Sequence, residues 1–145
     1  MVAPTNVRLP EQVDTDLETY TSRTGLTKSF VISTSVSEWL RLQGHPRIRF
    51  VEPVPGERRA ALVDGPQVWT VAEAWAQHGQ ERTVAAVAAS TGLRPDQVES
   101  ALAYWADNRD EIDSLIARVH AAQAEAFAAW QRRRELDTVN LDTLG

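Results

Sequence analysis

Hydrophobic positions divide the 145-residue chain into a series of short patterned stretches. Thr5, Val7 and Leu9 alternate with Asn6 and Arg8, the period of a strand, and Pro10 ends the alternation. Val13, Leu17 and Tyr20 then recur at i, i+4 and i+7, predicting a helix over residues 12–23 that Gly25 closes in a left-handed conformation. Thr27 is placed to cap a second helix over 27–43, with Ile32, Val36, Trp39 and Leu40 as its inner face. Gly44 and Pro46 make a break. The stretches IRFV (48–51) and AALV (60–63) read as a small hairpin around the loop EPVPGERR, and Asp64-Gly65-Pro66 as a turn. Helices follow over 68–78, with Val68, Val71 and Trp75 inward, over 83–91, and from 96, with Val98, Leu102 and Trp105 on one stripe. Asn108 and Glu111 have capping-box spacing and start a long last helix over 110–135. Ile112, Ile116, Val119, Phe127 and Trp130 share one face of it, and the tail LDTVNLDTLG continues without a helical stripe.

Composition narrows the picture. With 43% hydrophobic residues the chain has enough apolar surface for real cores. Its length suits one domain or two small ones. The absence of cysteine excludes disulfides, thiolate zinc sites and cysteine nucleophiles, and agrees with a cytoplasmic protein. No apolar run approaches the ~20 residues that span a bilayer, and the start does not read as a signal peptide. The net charge of −5 opposes non-specific coating of nucleic acid. It is unevenly placed: −1 over 1–43, +1 over 44–66 and −5 over 67–145. Nucleic-acid contacts therefore belong in the N-terminal part.

Residues 1–43 offer one strand and two helices, too little to close a core alone. The lone strand also has unpaired edges, which a second copy can satisfy by antiparallel pairing. Asn6 and Arg8 would then face outward on a two-stranded ribbon of a size that fits the DNA major groove, Arg8 donating to guanine and Asn6 pairing with adenine. Thr27, Lys28 and Ser29, at the start of the second helix, can hold a backbone phosphate. The run NVRLPEQVDTDLETYTSRTGLTKSFVISTSVSEWL resembles the ribbon-helix-helix repressors, the Arc and MetJ class, over about 37 residues without a gap. The resemblance implies an intertwined dimer that reads operator DNA through Asn6 and Arg8 and holds phosphate with Lys28 and Ser29. Pro4 stands where that class has an outward polar side chain.

Ala88, Gly92 and Val98 have helix-turn-helix spacing. Six acidic residues and one basic residue between 95 and 116 oppose a DNA-reading role and favour scaffold or protein binding, with Arg94 the one basic side chain placed against that. The segment HPRIRFVEPVPGERRAALVDGPQVWTVAEAW, with the Ala101-Leu102-x-Tyr104 and Glu111-Ile112-Asp113 clusters, resembles a small domain of unknown function found in bacterial antitoxins, over residues 45–117. That resemblance implies a toxin–antitoxin pair with a metal-dependent nuclease toxin of the PIN type. The basic, apolar C-terminal stretch then supplies candidate toxin contacts: Arg132, Arg133, Arg134, Leu136, Val139 and Leu141, with Leu144 as a further anchor.

An enzyme is not expected. His45, His78 and His120 match no metal-ligand spacing, DNRDEID lacks the glycine and terminal Glu of a calcium loop, and no phosphate or nucleophile motif occurs. Neither a metal nor a cofactor is called for, and the five tryptophans read mostly as core. The expected protein is mainly α, with an N-terminal ribbon-helix-helix module (1–43), a helical domain with a helix-turn-helix-like core and a small hairpin (45–117), and a long helix with tail (118–145). The expected function is an antitoxin that binds a toxin, forms a homodimer through the N-terminal strand and represses its own operon. The alternatives are a stand-alone DNA-binding regulator with a sensing C-terminal domain, and a dimeric adaptor that binds only proteins.

Overall fold

A computed structural model describes residues 2–143 of the chain, with side chains omitted at 140–142. The chain forms two units, Met1–Gly44 and His45–Gly145.

Unit 1 consists of helices α1 (Glu11–Thr24) and α2 (Lys28–Gly44). Pro10 precedes α1, where its missing N–H is no loss, and its carbonyl accepts from the Asp14 N–H at 3.0 Å. Gly25, at φ 77°, ends the helix and donates to the Thr21 carbonyl at 2.9 Å. Thr27 Oγ1 caps α2 by accepting from the Phe30 N–H at 3.1 Å. Leu17 is the one buried apolar side chain described in this unit. Ile32, Val36, Trp39 and Leu40, expected as the inner face of α2, are all exposed, Trp39 at 62%. Two helices share a single contact face, so α1 cannot cover the apolar surface that α2 carries.

The expected ribbon-helix-helix fold is overturned here. Residues 5–9 form no strand, and the only sheet among the described residues is built from segments that follow both N-terminal helices. Strand periodicity becomes a strand only where a neighbour accepts its backbone groups, and within the chain the two later strands pair with each other. Val7 is 74% exposed and Leu9 half-buried.

Unit 2 begins with that hairpin, β1 (Ile48–Val54) and β2 (Glu57–Leu62). Ile48 opposes Leu62 and Val51 opposes Arg59, after which the register shifts and Val54 opposes Glu57. Both strands run further into EPVPGERR than its prolines suggest. Pro53 falls within the irregularity, where the ladder does not need its N–H, and the turn has Pro55 followed by Gly56 at φ 81°, the residues a type II turn favours.

Four helices complete the unit: α3 (Val68–Gln77), α4 (Val84–Thr91), α5 (Pro95–Asp107) and α6 (Arg109–Thr143), with a short 3-10 turn at Gly79–Glu81. Thr83 caps α4 by accepting from the Ala86 N–H at 3.0 Å, and Gly92 ends it at φ 74°. Val98, Ala101 and Tyr104 of α5 are buried against the hairpin, α3, α4 and α6. Val68 and Val71 of α3, Val87 of α4, Leu62 of β2, and Ile112 and Leu115 of α6 complete the core.

Helix α6 continues through Thr143, past the expected end near 135. At about 1.5 Å per residue its 35 residues span roughly 50 Å. Ile112→Ala, which empties a fully buried site, should destabilise unit 2 by about 2–5 kcal/mol, read from the urea midpoint at constant m-value.

Candidate functional site

The residues expected to contact DNA all lie in unit 1. Asn6 and Arg8 are exposed. Arg8 and Lys28 line one open groove of about 640 Å³ with Leu9, Asp14, Leu17 and Ile32. Lys28 is held by α1: its Nζ donates to Glu18 at 2.9 Å and lies 3.7 Å from Asp14. The Glu18 hydrogen bond foremost, with the Asp14 charge, holds the ammonium above its ordinary pKa. Thr27 is engaged as the cap of α2, and Ser29 is exposed beside it. The groove thus unites Arg8 with Lys28, but two carboxylates already balance the lysine.

In unit 2 the turn before α5 is laced by charge. Arg94 Nη2 donates to Asp64 at 2.7 Å and its Nε to Asp96 at 3.1 Å, while Arg47 pairs with Asp96 from the other side. Gln97, the one buried polar side chain described, accepts from the Arg94 N–H at 2.9 Å and donates to the Asp64 carbonyl at 3.1 Å. Arg94 is therefore bound to two aspartates at the very helix start where a DNA-reading arginine would have to be available. The Arg94 hydrogen bonds are the first cause holding the Asp64 and Asp96 carboxyls below their ordinary values.

The DNRDEID stretch ties α5 to α6. Tyr104 Oη donates to Glu111 at 2.7 Å, and Trp105 Nε1 donates to Asp113 at 2.8 Å. Arg109 bonds Asp113 and lies 5.0 Å over the Trp105 ring. His45 is mostly buried, with Nε2 2.9 Å from Asp107 and its ring edge-on to Tyr104 at 5.1 Å. Tyr104, Trp105 and Arg109 find their partners within eight positions, and the His45 contacts with Tyr104 and Asp107 reach across about 60. The carboxylates were visible as an acidic helix start, but their partners were not.

The second candidate surface is on α6. The stripe of Ile112, Ile116, Val119, Phe127 and Trp130 falls within an arc of roughly 80°. Ile112 is buried, and Ile116 and Val119 are half-buried, but Phe127 and Trp130 are 56% and 45% exposed. Their rings stack at 5.7 Å, and the Arg134 guanidinium lies 5.0 Å over the Trp130 ring. Arg132 and Arg133 are exposed, as are Leu136 and Val139. The side chain of Leu141, and Leu144, lie outside the described residues. Beside this helix a groove of about 510 Å³ is lined by Val54, Val119, Ala122 and Ala126, with Glu57 held by Arg59 and Arg118, each at 3.0 Å. The Arg59 Nε is buried and has no partner among the described residues. Sequence reasoning put Phe127 and Trp130 on one face with Ile112, Ile116 and Val119, read the tryptophans mostly as core, and did not identify the pair as surface. The signal that could have found them is the length of α6, which exceeds what a unit of this size can cover.

Among the described residues, no group of three or more His, Asp or Glu side chains could hold a metal ion, and no helix is long and apolar enough to cross a membrane. Compared with models of known families, with curated proteins and with solved structures, the chain matches none.

The depressed Asp64 and Asp96 values make a signed prediction. Carboxylates held low by Arg94 add stability above their free values and lose it as pH falls through their folded values. Arg94→Ala should therefore lower the urea midpoint at neutral pH and converge with the wild type in acid. Parallel midpoint–pH curves for the two proteins would remove this role for the network.

Proposed function

We propose that the chain is the antitoxin of a toxin–antitoxin pair, a cytoplasmic protein that neutralises a nuclease toxin, of the PIN type, and represses its own operon. In this reading α6 engages the toxin. Unit 1 self-associates and contacts operator DNA with Asn6, Arg8 and the start of α2. The observation that carries the proposal is the exposed part of α6, where a long helix presents Phe127, Trp130, Leu136 and Val139 beside three arginines. A helix presenting so much apolar surface is stabilised when a partner covers it. The exposed Phe30, Ile32, Val36, Trp39 and Leu40 support self-association of unit 1 on the same ground.

A second reading, an adaptor that binds only proteins, is favoured by one observation: Lys28 and Arg94 are both engaged by carboxylates.

Two experiments separate these readings. Co-expression with the product of the adjacent reading frame should relieve growth arrest and yield a co-purifying complex, and Leu136→Asp with Val139→Asp should abolish both effects. Relief that survives the double substitution rejects Leu136 and Val139 as toxin contacts, and no complex with the wild type rejects α6 as the toxin-binding element. In a gel-shift titration on promoter DNA, Arg8→Ala should weaken binding and make it less dependent on salt, and wild-type binding should fall steeply with salt. Weak, salt-insensitive binding that Arg8→Ala leaves unchanged supports the adaptor.

A further inference from the structure

We propose that α6 pairs antiparallel with α6 of a second copy of this chain, the Trp130 indole of each copy filling the groove over Val119, Ala122, Gln123 and Ala126 of the other. The proposal goes beyond the antitoxin reading and does not rest on it.

The shape of the groove carries the argument. Val119, Ala122, Gln123 and Ala126 all line it, at i, i+3, i+4 and i+7. Four positions so spaced are the corners of a hole that receives one side chain of a facing helix. Two of the corners are exposed alanines, so the floor is low and the hole suits a large occupant. Val54 of β1, itself 47% exposed, walls one side, and the volume of about 510 Å³ admits an indole. About one turn further along the same face stands a side chain of that size. Trp130 is half in solvent, and its ring is steadied by the Phe127 stack and the Arg134 guanidinium.

Symmetry selects the occupant. A two-fold interface needs one patch that carries both a protrusion and the recess that fits it. Here the two follow each other on a single helix face. With Trp130 of the partner subunit over the hole, the axis falls beside Ala126, and the partner's hole receives Trp130 of the first copy in the same way. Alanine at the axis lets the two helices approach to about 8 Å. Charge permits this register. Arg132, Arg133 and Arg134 of the two copies lie roughly 20 Å apart along the helix, beyond the ~8 Å screening length of physiological salt. A parallel pair would set them face to face. Leu136 and Val139 stand roughly 120° and 180° around the helix from Trp130, so the pairing leaves them for a different partner.

The chain has no cysteine, so a single introduced one reports contact between copies. Under mild oxidation of the full chain, Ala126→Cys should give a disulfide-linked dimer, because the axis sets the residue opposite its own mate. Arg134→Cys should stay unlinked, its mate being roughly 20 Å away along the helix. In the Ala126→Cys background, Trp130→Ala removes the protrusion and Ala122→Trp fills the recess. Each should slow linkage at least tenfold, with unchanged circular dichroism because both positions are exposed. No linkage of Ala126→Cys, which would leave the face to a different protein, overturns the proposal. So does linkage of Arg134→Cys, the result of a parallel pair or of copies held together by unit 1 alone. Linkage of Ala126→Cys that is indifferent to Trp130→Ala and Ala122→Trp overturns it as well. No toxin enters the experiment, so its outcome is separate from that of the antitoxin reading.

Discussion

Unit 2 closes around one buried stripe, Val98, Ala101 and Tyr104 of α5, and the rest of its structure depends on that stripe staying dry. The hairpin, α3, α4 and α6 all pack against α5, so no other element has as many neighbours to lose. Tyr104 shows how the constraint works. Its ring is fully buried, yet its hydroxyl reaches Glu111 at the start of α6, so one side chain both fills the core and fastens the next helix. His45 lies edge-on to the same ring, which brings the entry of unit 2 to the same point.

Polar contacts around this core mostly orient elements. Asp64, Arg94, Asp96, Arg47 and Gln97 fix the turn that leads into α5, where a buried glutamine has its amide donor and carbonyl acceptor both engaged. Exposed ion pairs of this kind add little to stability individually, so their main effect is geometric. They also change what the helix-turn-helix can do. An arginine bound by two aspartates does not present a positive end to DNA, and the acidic surface that follows suits contact with protein.

The two ends of the chain share a different property, apolar surface that their own unit does not cover. In unit 1 the cause is volume, since two helices cannot enclose the side chains that α2 carries. In α6 the cause is length, since the helix runs on beyond the elements that pack against its first turns. Both features give a reason for partners. Arg132, Arg133 and Arg134 put three basic side chains on the exposed part of α6, a helix that also carries seven carboxylates.

Periodicity, caps and breakers made most helices legible in the sequence. Gly25, Thr27, Thr83 and Gly92 mark helix ends through backbone preferences that act locally, and the hairpin strands show in their β-branched and apolar residues. Local rules could not say which apolar faces would be covered. Trp39, Phe127 and Trp130 have the spacing of core residues and lie exposed, because burial depends on what stands opposite a face. The same limit applies to residues 5–9, whose alternation is that of a strand but whose backbone finds no ladder within the chain. The acidic start of α6 and the charged turn at Arg94 were visible as residue types; the pairing of that turn across 30 or more positions, as in Arg94 with Asp64, was decided only when tertiary packing brought distant segments together.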